Sequence, residues 1–377
     1  MSRAPALVVL AALLLSFAYP TLSYAVRTPT TQQASVQLPA ALPGFRYSGQ
    51  LNGDVPVVGV VYVPLRNLNL LFYYAEAVNT PGSPLYHHFL TRQQVQELFY
   101  PRAEFEEALR YVESAGLRVL FTASDSFIVF EGTAAQVERA FNVSIGLFTN
   151  GTASYYAVTS VRGSYSVYVS NVTPLLVRRF QLTLKQVPRP NLSEVYSGIE
   201  AYPLTQVVNA YNVTPLYDSG YLGQNVSVGV LDFYGDPTIA QDLAYYDQLF
   251  GLPPANLTIV PIGPYDPNLG ILTGWNGEIE LDVETVHTVA PDAHIVLYIA
   301  NGALPLAPVI AYIDQQDAVS IVTQSFGMDE SAFSYYGAPF FYYNVYLSDV
   351  YYALGSAEGI TFLASSGDGG GMGYSAG

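Results

Sequence analysis

Between residue 201 and the end at 377, the sequence alternates short, almost wholly apolar segments with amphipathic segments of helical period. We predict strands at 226–233, 294–300, 319–325 and 360–364, with helices between them. Strands that are apolar on both faces and alternate with helices are typical of a parallel sheet covered on both sides. The predicted fold class is therefore α/β, with a doubly wound parallel sheet.

The region before this sheet has a different order of elements. Residues 46–184 contain pairs of strand-like segments between helices, an α+β order that predicts a split βαβ sandwich of the ferredoxin-like type. Residues 185–200 contain Pro188 and Pro190 and show no periodicity, so we interpret them as an exposed connector between two domains. The polar, proline-containing residues 26–45 are interpreted as a linker.

The N-terminus has the features of a secretory signal peptide. Arg3 precedes an apolar run at 6–18 that is too short to span a bilayer, and the following Ser23-Tyr24-Ala25 ends in small residues suited to cleavage. We predict that residues 1–25 are removed on export and that the protein is secreted; the alternative is an uncleaved membrane anchor. The acceptor triplets of N-glycosylation begin at Asn142, Asn150, Asn171, Asn191, Asn212, Asn225 and Asn256.

The composition excludes several classes of protein. The formal net charge is −16 and Lys185 is the only lysine, so the basic stripe of a nucleic-acid-binding protein is missing. The absence of cysteine excludes a disulfide framework, a thiol nucleophile and a cysteine-based zinc site. Stability must therefore come from a hydrophobic core, and half of the residues are hydrophobic.

One predicted helix, 277–290, carries two carboxylates one turn apart. Glu278 and Asp282 stand at positions i and i+4 and therefore share a helix face. Two coupled carboxyls titrate as a unit with one raised pKa, which suits a general base that works in acid. The structural alternative is that acidic residues near a helix N-terminus offset the helix dipole. Spacing alone leaves both interpretations open.

The opposite face of the same helix carries Glu280, Glu284 and His287. We expect the two glutamates to be solvated and the histidine to be structural. A subtilisin-type triad that pairs His287 with Asp232 is disfavoured, because no H-G-T-H segment surrounds the histidine and its helix face points away from Glu278.

Other candidate side chains lie where predicted strands end. Functional residues of open parallel sheets gather at the carboxyl ends of the strands, where this sequence has Asp232, Ser325 and Asp368. Asp368 lies in a glycine-rich loop and, when protonated, could donate a hydrogen bond to a developing oxyanion. The alternative is a solvated loop aspartate.

Several sequence segments together resemble one peptidase family. Segment 83–91, S-P-L-Y-H-H-F-L-T, resembles the start of the family's pro-domain. Segments 277–284 and 290–293 resemble its E-x-x-x-D helix and the following A-P-x-A turn. Segments 321–327, I-V-T-Q-S-F-G, and 364–368, A-S-S-G-D, are similar to its central S-x-S-[WY]-G strand and G-D turn. In this order, from about residue 45 to the end, the motifs resemble those of the sedolisins, the serine-carboxyl peptidases that include the kumamolisins.

The resemblance implies a subtilisin-like catalytic domain, incomplete in this chain, over residues 201–377. The activation pro-domain would be residues 46–184 and would act as an intramolecular inhibitor, with maturation expected within 185–200. Polypeptides are the substrates that the family implies, cleaved outside the cell at acid pH.

The resemblance also implies a role for each candidate residue. Glu278 would be the general base toward a serine, and Asp282 would orient Glu278 and couple to its charge. Asp368 would stabilise the tetrahedral intermediate. Asp232 would extend the hydrogen-bond network, although Phe326 stands where the family often has a tryptophan and cannot hydrogen-bond.

The sequence lacks the nucleophile that the resemblance implies. The family's serine lies in a G-T-S-x-x-x-P segment, whereas the Gly-Thr pairs at 132–133 and 151–152 are followed by alanine and lie in the pro-region. Ser325 matches a structural residue of the family. We therefore expect no nucleophile in these 377 residues and no hydrolysis by them, with a truncated reading frame, a split gene or a degenerate relative as explanations. Calcium is expected for a full-length family member, but no metal ligand is assigned in this chain.

A rival interpretation from another class is a non-catalytic secreted or cell-surface binding protein derived from a peptidase. The 32 tyrosines and the glycosylation triplets would suit such a surface protein. A G-T-S-x-x-x-P segment encoded beyond Gly377 would favour the peptidase, and a stop codon would favour the rival. Neither interpretation predicts a nucleic-acid partner or a stable membrane span after signal cleavage.

Overall fold

The computed structural model describes residue 41 and residues 44–163, 167–171, 204–327 and 340–367. The predicted signal peptide, nearly all of the predicted linker and the predicted connector lie outside these residues. They therefore remain predictions.

The described first half of the chain combines antiparallel sheets with helices. Its elements are β1 (Arg46–Gln50), β2 (Pro56–Tyr62), α1 (Leu68–Asn79), α2 (Arg92–Phe99), α3 (Arg102–Ser114), β3 (Arg118–Ala123), β4 (Phe127–Thr133), α4 (Ala134–Phe141), β5 (Val143–Thr149), β6 (Ser154–Val161) and β7 (Val167–Asn171). One antiparallel sheet has the strand order β3-β4-β2-β7 and the other the order β1-β5-β6. The α+β character expected of this region is therefore present.

Two helices of this half begin where the sequence provides a capping box. The Thr91 side chain accepts from the Gln94 backbone at the start of α2, and the Gln94 side chain accepts from the Thr91 backbone. Thr133 and Gln136 form the same pair at the start of α4. Each box satisfies backbone N–H groups that the helix itself leaves without partners, so local sequence determines where both helices begin.

The second half of the chain forms a parallel sheet with helices. Its elements are α5 (Leu204–Ala210), α6 (Thr214–Asp218), β8 (Ser227–Phe233), α7 (Ile239–Phe250), β9 (Asn256–Ile262), α8 (Asn268–Thr273), α9 (Trp275–Val289), β10 (His294–Ala300), α10 (Leu306–Gln316), β11 (Ile321–Gln324), a π-helical turn (Tyr342–Tyr346), α11 (Leu347–Glu358) and β12 (Thr361–Ala364). The strand order is β12-β11-β8-β10-β9, and every pair is parallel. Among the described residues, no helix has both the length and the apolar character needed to cross a membrane.

The predicted mixed α/β fold with a parallel sheet is confirmed. All four predicted strands are present as β8, β10, β11 and β12, shortened at their ends by up to two residues. The short helices α5, α6 and α8 were not predicted, because segments of 7, 5 and 6 residues show too little periodicity to be recognised.

One hydrophobic core joins the two halves of the chain. Phe127 of the first half belongs to the same buried cluster as Ala311 and Tyr351 of the second. The rings of Phe127 and Tyr351 lie 5.1 Å apart, and Tyr351 Oη donates to Ser126 Oγ at 2.7 Å. Because residues of each half bury apolar side chains of the other, each half stabilises the other.

We expect Tyr351→Ala to lower the free energy of unfolding by about 3–5 kcal/mol, because it removes a fully buried ring from this core. Urea unfolding should be followed by fluorescence of Trp275, the only tryptophan, and by far-ultraviolet circular dichroism. The two probes should report one transition. The matched control Tyr211→Ala removes a tyrosine that is 80% exposed and should change stability by less than about 0.5 kcal/mol. A Tyr351→Ala variant as stable as this control would contradict the shared core.

Candidate active site

Two candidate residues lie side by side at the carboxyl edge of the parallel sheet. Gln324 of β11 pairs with Leu231 of β8, so the next residues along these strands are Ser325 and Asp232. The backbone N–H of Ser365, which follows β12, donates to Gln324 O at 2.9 Å. Three strand ends therefore meet at this edge, as the parallel arrangement requires.

Helix α9 brings the carboxylate pair to the same edge. Gly274 has φ 87°, a left-handed conformation that glycine adopts without strain, and it separates α8 from α9. Within α9, Ile279 and Val283 are fully buried in the core cluster on the sheet. Each stands one position after a candidate carboxylate, so the packing of these two residues sets the directions of Glu278 and Asp282.

Asp282 reaches the sheet edge and is held there by a hydrogen bond. Ser325 Oγ donates to Asp282 Oδ1 at 2.9 Å. The residue is 9% exposed, and its other oxygen, Oδ2, is buried without a hydrogen-bond partner in the described part of the chain. Burial raises the pKa of Asp282, and the hydrogen bond from Ser325 opposes this rise.

Asp232 is the most deeply buried carboxyl of the site. It is 0% exposed, and neither of its oxygens has a hydrogen-bond partner among the described residues. Burial, followed by the charges of Asp282 and Glu278, raises the pKa of Asp232 to about 8. Asp232 is therefore uncharged in acid, whereas Glu278 is half-buried and retains access to solvent.

Aromatic rings pack beside these carboxyls. The ring of Phe233, the residue after Asp232, lies 4.9 Å from the Phe326 ring and 5.1 Å from the Trp275 ring, both in edge-to-face geometry. Phe326, which follows Ser325, thus makes an apolar contact where a tryptophan of the family type could also donate. The rings add to the low polarity that keeps the carboxyls protonated.

The prediction that Glu280 and Glu284 are solvated is wrong. Both are half-buried, because α9 packs against α7 on this side. Burial and then the charge of Glu280, followed by those of Asp242 and Asp247, raise the pKa of Glu284 to about 7. A helical wheel places these glutamates away from the sheet but cannot show that a second helix covers them.

His287 has structural partners on that side of α9. It is 0% exposed, and its Nε2 lies 2.9 Å from Pro253 O and 2.9 Å from Asp247 Oδ1. These contacts connect α9 to α7 and to the segment that follows α7. They agree with the structural role that the sequence predicted.

The structure also brings together three carboxylates that sequence reasoning did not select. One carboxylate oxygen of each of Asp236, Asp242 and Glu280 lies within 4.8 Å of the other two. Their signal in the sequence was weak, because they come from a loop and two different helices. Asp368 lies outside the described residues, so its role remains a prediction.

We expect the free energy of unfolding to increase as the pH falls from about 8 to about 4. The pKa of Asp232 is about 8 in the folded chain, against an ordinary value of 3.8, so in this window the folded state holds a proton that the unfolded state has lost. This contribution is complete below pH 3.8 and is lost as the pH rises through about 8.

Urea unfolding at a series of pH values tests this expectation. Asp232→Asn should reduce the slope of stability against pH by up to about 1.4 kcal/mol per pH unit. The control Asp218→Asn changes an exposed aspartate and should keep the slope of the wild type. An unchanged slope in Asp232→Asn would contradict the assignment.

Comparisons with known proteins find similarity to one group of peptidases. Residues 43–177 match the family model of the pro-kumamolisin activation domain. Tripeptidyl-peptidase sed4 of Aspergillus fumigatus is 25% identical over 256 residues, which cover 64% of this chain and 42% of that protein. Kumamolisin of a Bacillus species is 28% identical over 286 residues, with 71% and 49% covered.

Sedolisin of a Pseudomonas species is 24% identical over 322 residues, which cover 82% of this chain and 53% of that protein. The chain thus spans about half, or less, of the length of these relatives. A solved structure of Pseudomonas sedolisin with two molecules of pseudo-iodotyrostatin aligns with TM-score 0.34 and 22% identity, covering 40% of this chain and 42% of that one. The predicted resemblance is confirmed by the family model and the sequence relatives: residues 43–177 match the pro-kumamolisin activation domain, and the chain is similar in sequence to the sedolisin peptidases.

Proposed function

We propose that this chain is the precursor of a secreted, acid-active serine-carboxyl endopeptidase. The observation that carries the proposal is the carboxyl cluster at the sheet edge, where Asp282 accepts from Ser325 and lies near Asp232 and Glu278. Perturbed carboxyls gathered at the carboxyl ends of parallel strands are typical of a catalytic site. The sequence relatives named above support the choice of peptide hydrolysis.

In this mechanism Glu278 is the general base. It accepts the proton of a serine hydroxyl as the serine oxygen attacks the peptide carbonyl, and it returns that proton to the leaving amine. Asp282, fixed by Ser325, orients Glu278 from the next helical turn. Asp368 in its protonated form donates to the developing oxyanion.

Acid pH suits this division of roles. Asp232 stays protonated up to about pH 8 because its pKa is raised, so it adds no second charge beside Glu278. Burial also raises the pKa of Asp282, which favours a shared proton within the pair. Asp368 must be neutral to donate, and acid provides that state.

The first half of the chain is proposed to be an intramolecular inhibitor of the ferredoxin-like type, with maturation at 185–200. The strand order β3-β4-β2-β7 supports this topology. The motif at 83–91 supports its docking, because the Leu90 N–H donates to Ala357 O at 2.9 Å and the Phe89 ring lies against Gly359, where an added Cβ would be 3.0 Å away. The calcium that the family resemblance implies has no assigned ligand in this mechanism.

In a chain that also carries the nucleophilic serine, we expect Glu278→Gln to lower kcat at acid pH by roughly 10²–10⁴-fold or more, because the amide cannot accept the serine proton. Hydrolysis of a denatured protein substrate at pH 3–5 measures the effect, and circular dichroism checks the fold. The control Asp292→Asn changes an exposed aspartate just after α9 and should keep wild-type activity. Near-normal activity of Glu278→Gln would show that Glu278 is not the general base.

We expect the 377-residue chain by itself not to hydrolyse peptides, because these residues contain no G-T-S-x-x-x-P segment of the kind that carries the family's nucleophilic serine. Measurable turnover that disappears in Ser325→Ala would contradict this expectation and make Ser325 the nucleophile. Sequencing the frame beyond the codon for Gly377 provides an independent test. A G-T-S-x-x-x-P segment supports the peptidase, whereas a stop codon supports a non-catalytic descendant.

A further inference from the structure

A second carboxylate cluster lies on the side of α9 away from the catalytic pair. Glu280 is two residues beyond Glu278 and so lies about 200° around the helix axis. A carboxylate oxygen of Glu280 lies within 4.8 Å of one from Asp236, in the loop after β8, and one from Asp242, in the first turn of α7. We call Asp236, Asp242 and Glu280 the acidic triplet.

Asp236 is the member of the triplet whose environment points to a ligand. The residue is only 3% exposed. Its Oδ1 accepts from Thr238 N at 2.8 Å and from Thr238 Oγ1 at 3.0 Å. Its Oδ2 is buried and has no hydrogen-bond partner among the described residues. A buried acceptor in that state is destabilising, so an occupant that supplies positive charge there is favoured.

The sequence beyond Arg189 contains neither lysine nor arginine that could neutralise the triplet. His287 of α9 is engaged with Asp247 instead. The negative charge of the triplet therefore calls for a cation from solution.

The type and number of the donor atoms indicate which class of cation the triplet would bind. Carboxylate oxygens are hard ligands, which suit calcium and magnesium rather than zinc. Calcium accepts several protein oxygens in a flexible geometry, whereas magnesium usually keeps several waters and binds only one or two carboxylates. Three carboxylates that lie within 4.8 Å of one another therefore suit calcium better than magnesium.

We propose that Asp236, Asp242 and Glu280 bind one calcium ion, which links the loop after β8 to helices α7 and α9. The ion would stabilise the helix that carries Glu278 and Asp282 without contacting either of them. This site goes beyond the proposed peptidase function, and its test requires no peptidase activity. It is also separate from the calcium that the family resemblance implies.

The test uses the 377-residue chain after removal of metal with a chelator. Thermal unfolding followed by circular dichroism in increasing CaCl₂ should show a saturable rise in Tm. Titration with Tb³⁺ should produce tyrosine-sensitised luminescence that calcium displaces. Tyr265 is the nearby sensitiser, because a Cβ added to Gly235, next to Asp236, would lie 2.8 Å from its ring.

Two triplet variants and one control make the test specific. Asp242→Asn and Glu280→Gln should bind both ions at least about tenfold more weakly, because each removes a charged ligand. In chelator they should melt at or above the wild-type Tm, because they relieve repulsion within the triplet. The exposed control Asp218→Asn should respond as the wild type does. The proposal would be overturned if millimolar calcium left the wild-type Tm unchanged. It would also be overturned if calcium raised the Tm of both triplet variants as much as it raises that of the wild type.

Discussion

The packing of helix α9 on the parallel sheet is the interaction on which the candidate site depends. Ile279 and Val283 are fully buried in the core cluster against the sheet, and burial of each such side chain contributes about 1.5–3 kcal/mol. Each buried residue follows a carboxylate by one position, so the helix cannot rotate without exposing its apolar stripe. This packing aims Asp282 at the end of β11, where Ser325 donates to it, and leaves Glu278 half-buried.

A second physical theme is burial of carboxyls without basic partners. Asp232 has no hydrogen-bond partner among the described residues, and the sequence beyond Arg189 has no lysine or arginine to pair with it. A buried carboxyl in such surroundings binds a proton rather than remaining charged. At the candidate site a protonated carboxyl therefore stands where a salt bridge is missing, and acid favours this arrangement. The acidic triplet on the far side of α9 differs, because there we propose that a calcium ion supplies the positive charge.

The pro-region is part of the core rather than an appendage. Tyr351 of α11 packs on Phe127 and donates to Ser126, and the Leu90 N–H donates to the end of the same helix at Ala357. Cleavage of the connector alone leaves these non-covalent contacts in place. Under the proposed function, activation must therefore also separate a shared hydrophobic core, which makes the two halves interdependent during maturation.

The sequence by itself determined the parallel strands, the capped helices at Thr91 and Thr133, and the shared face of Glu278 and Asp282. These features follow from hydrophobic period, capping chemistry and helix geometry, which are local. Only the tertiary structure decided which groups are buried and which distant residues meet. It joined Ser325 to Asp282. Helix α7 covers Glu280 and Glu284, and the members of the acidic triplet come from three separate elements. Burial and proximity of this kind depend on contacts between elements, which no local sequence pattern encodes.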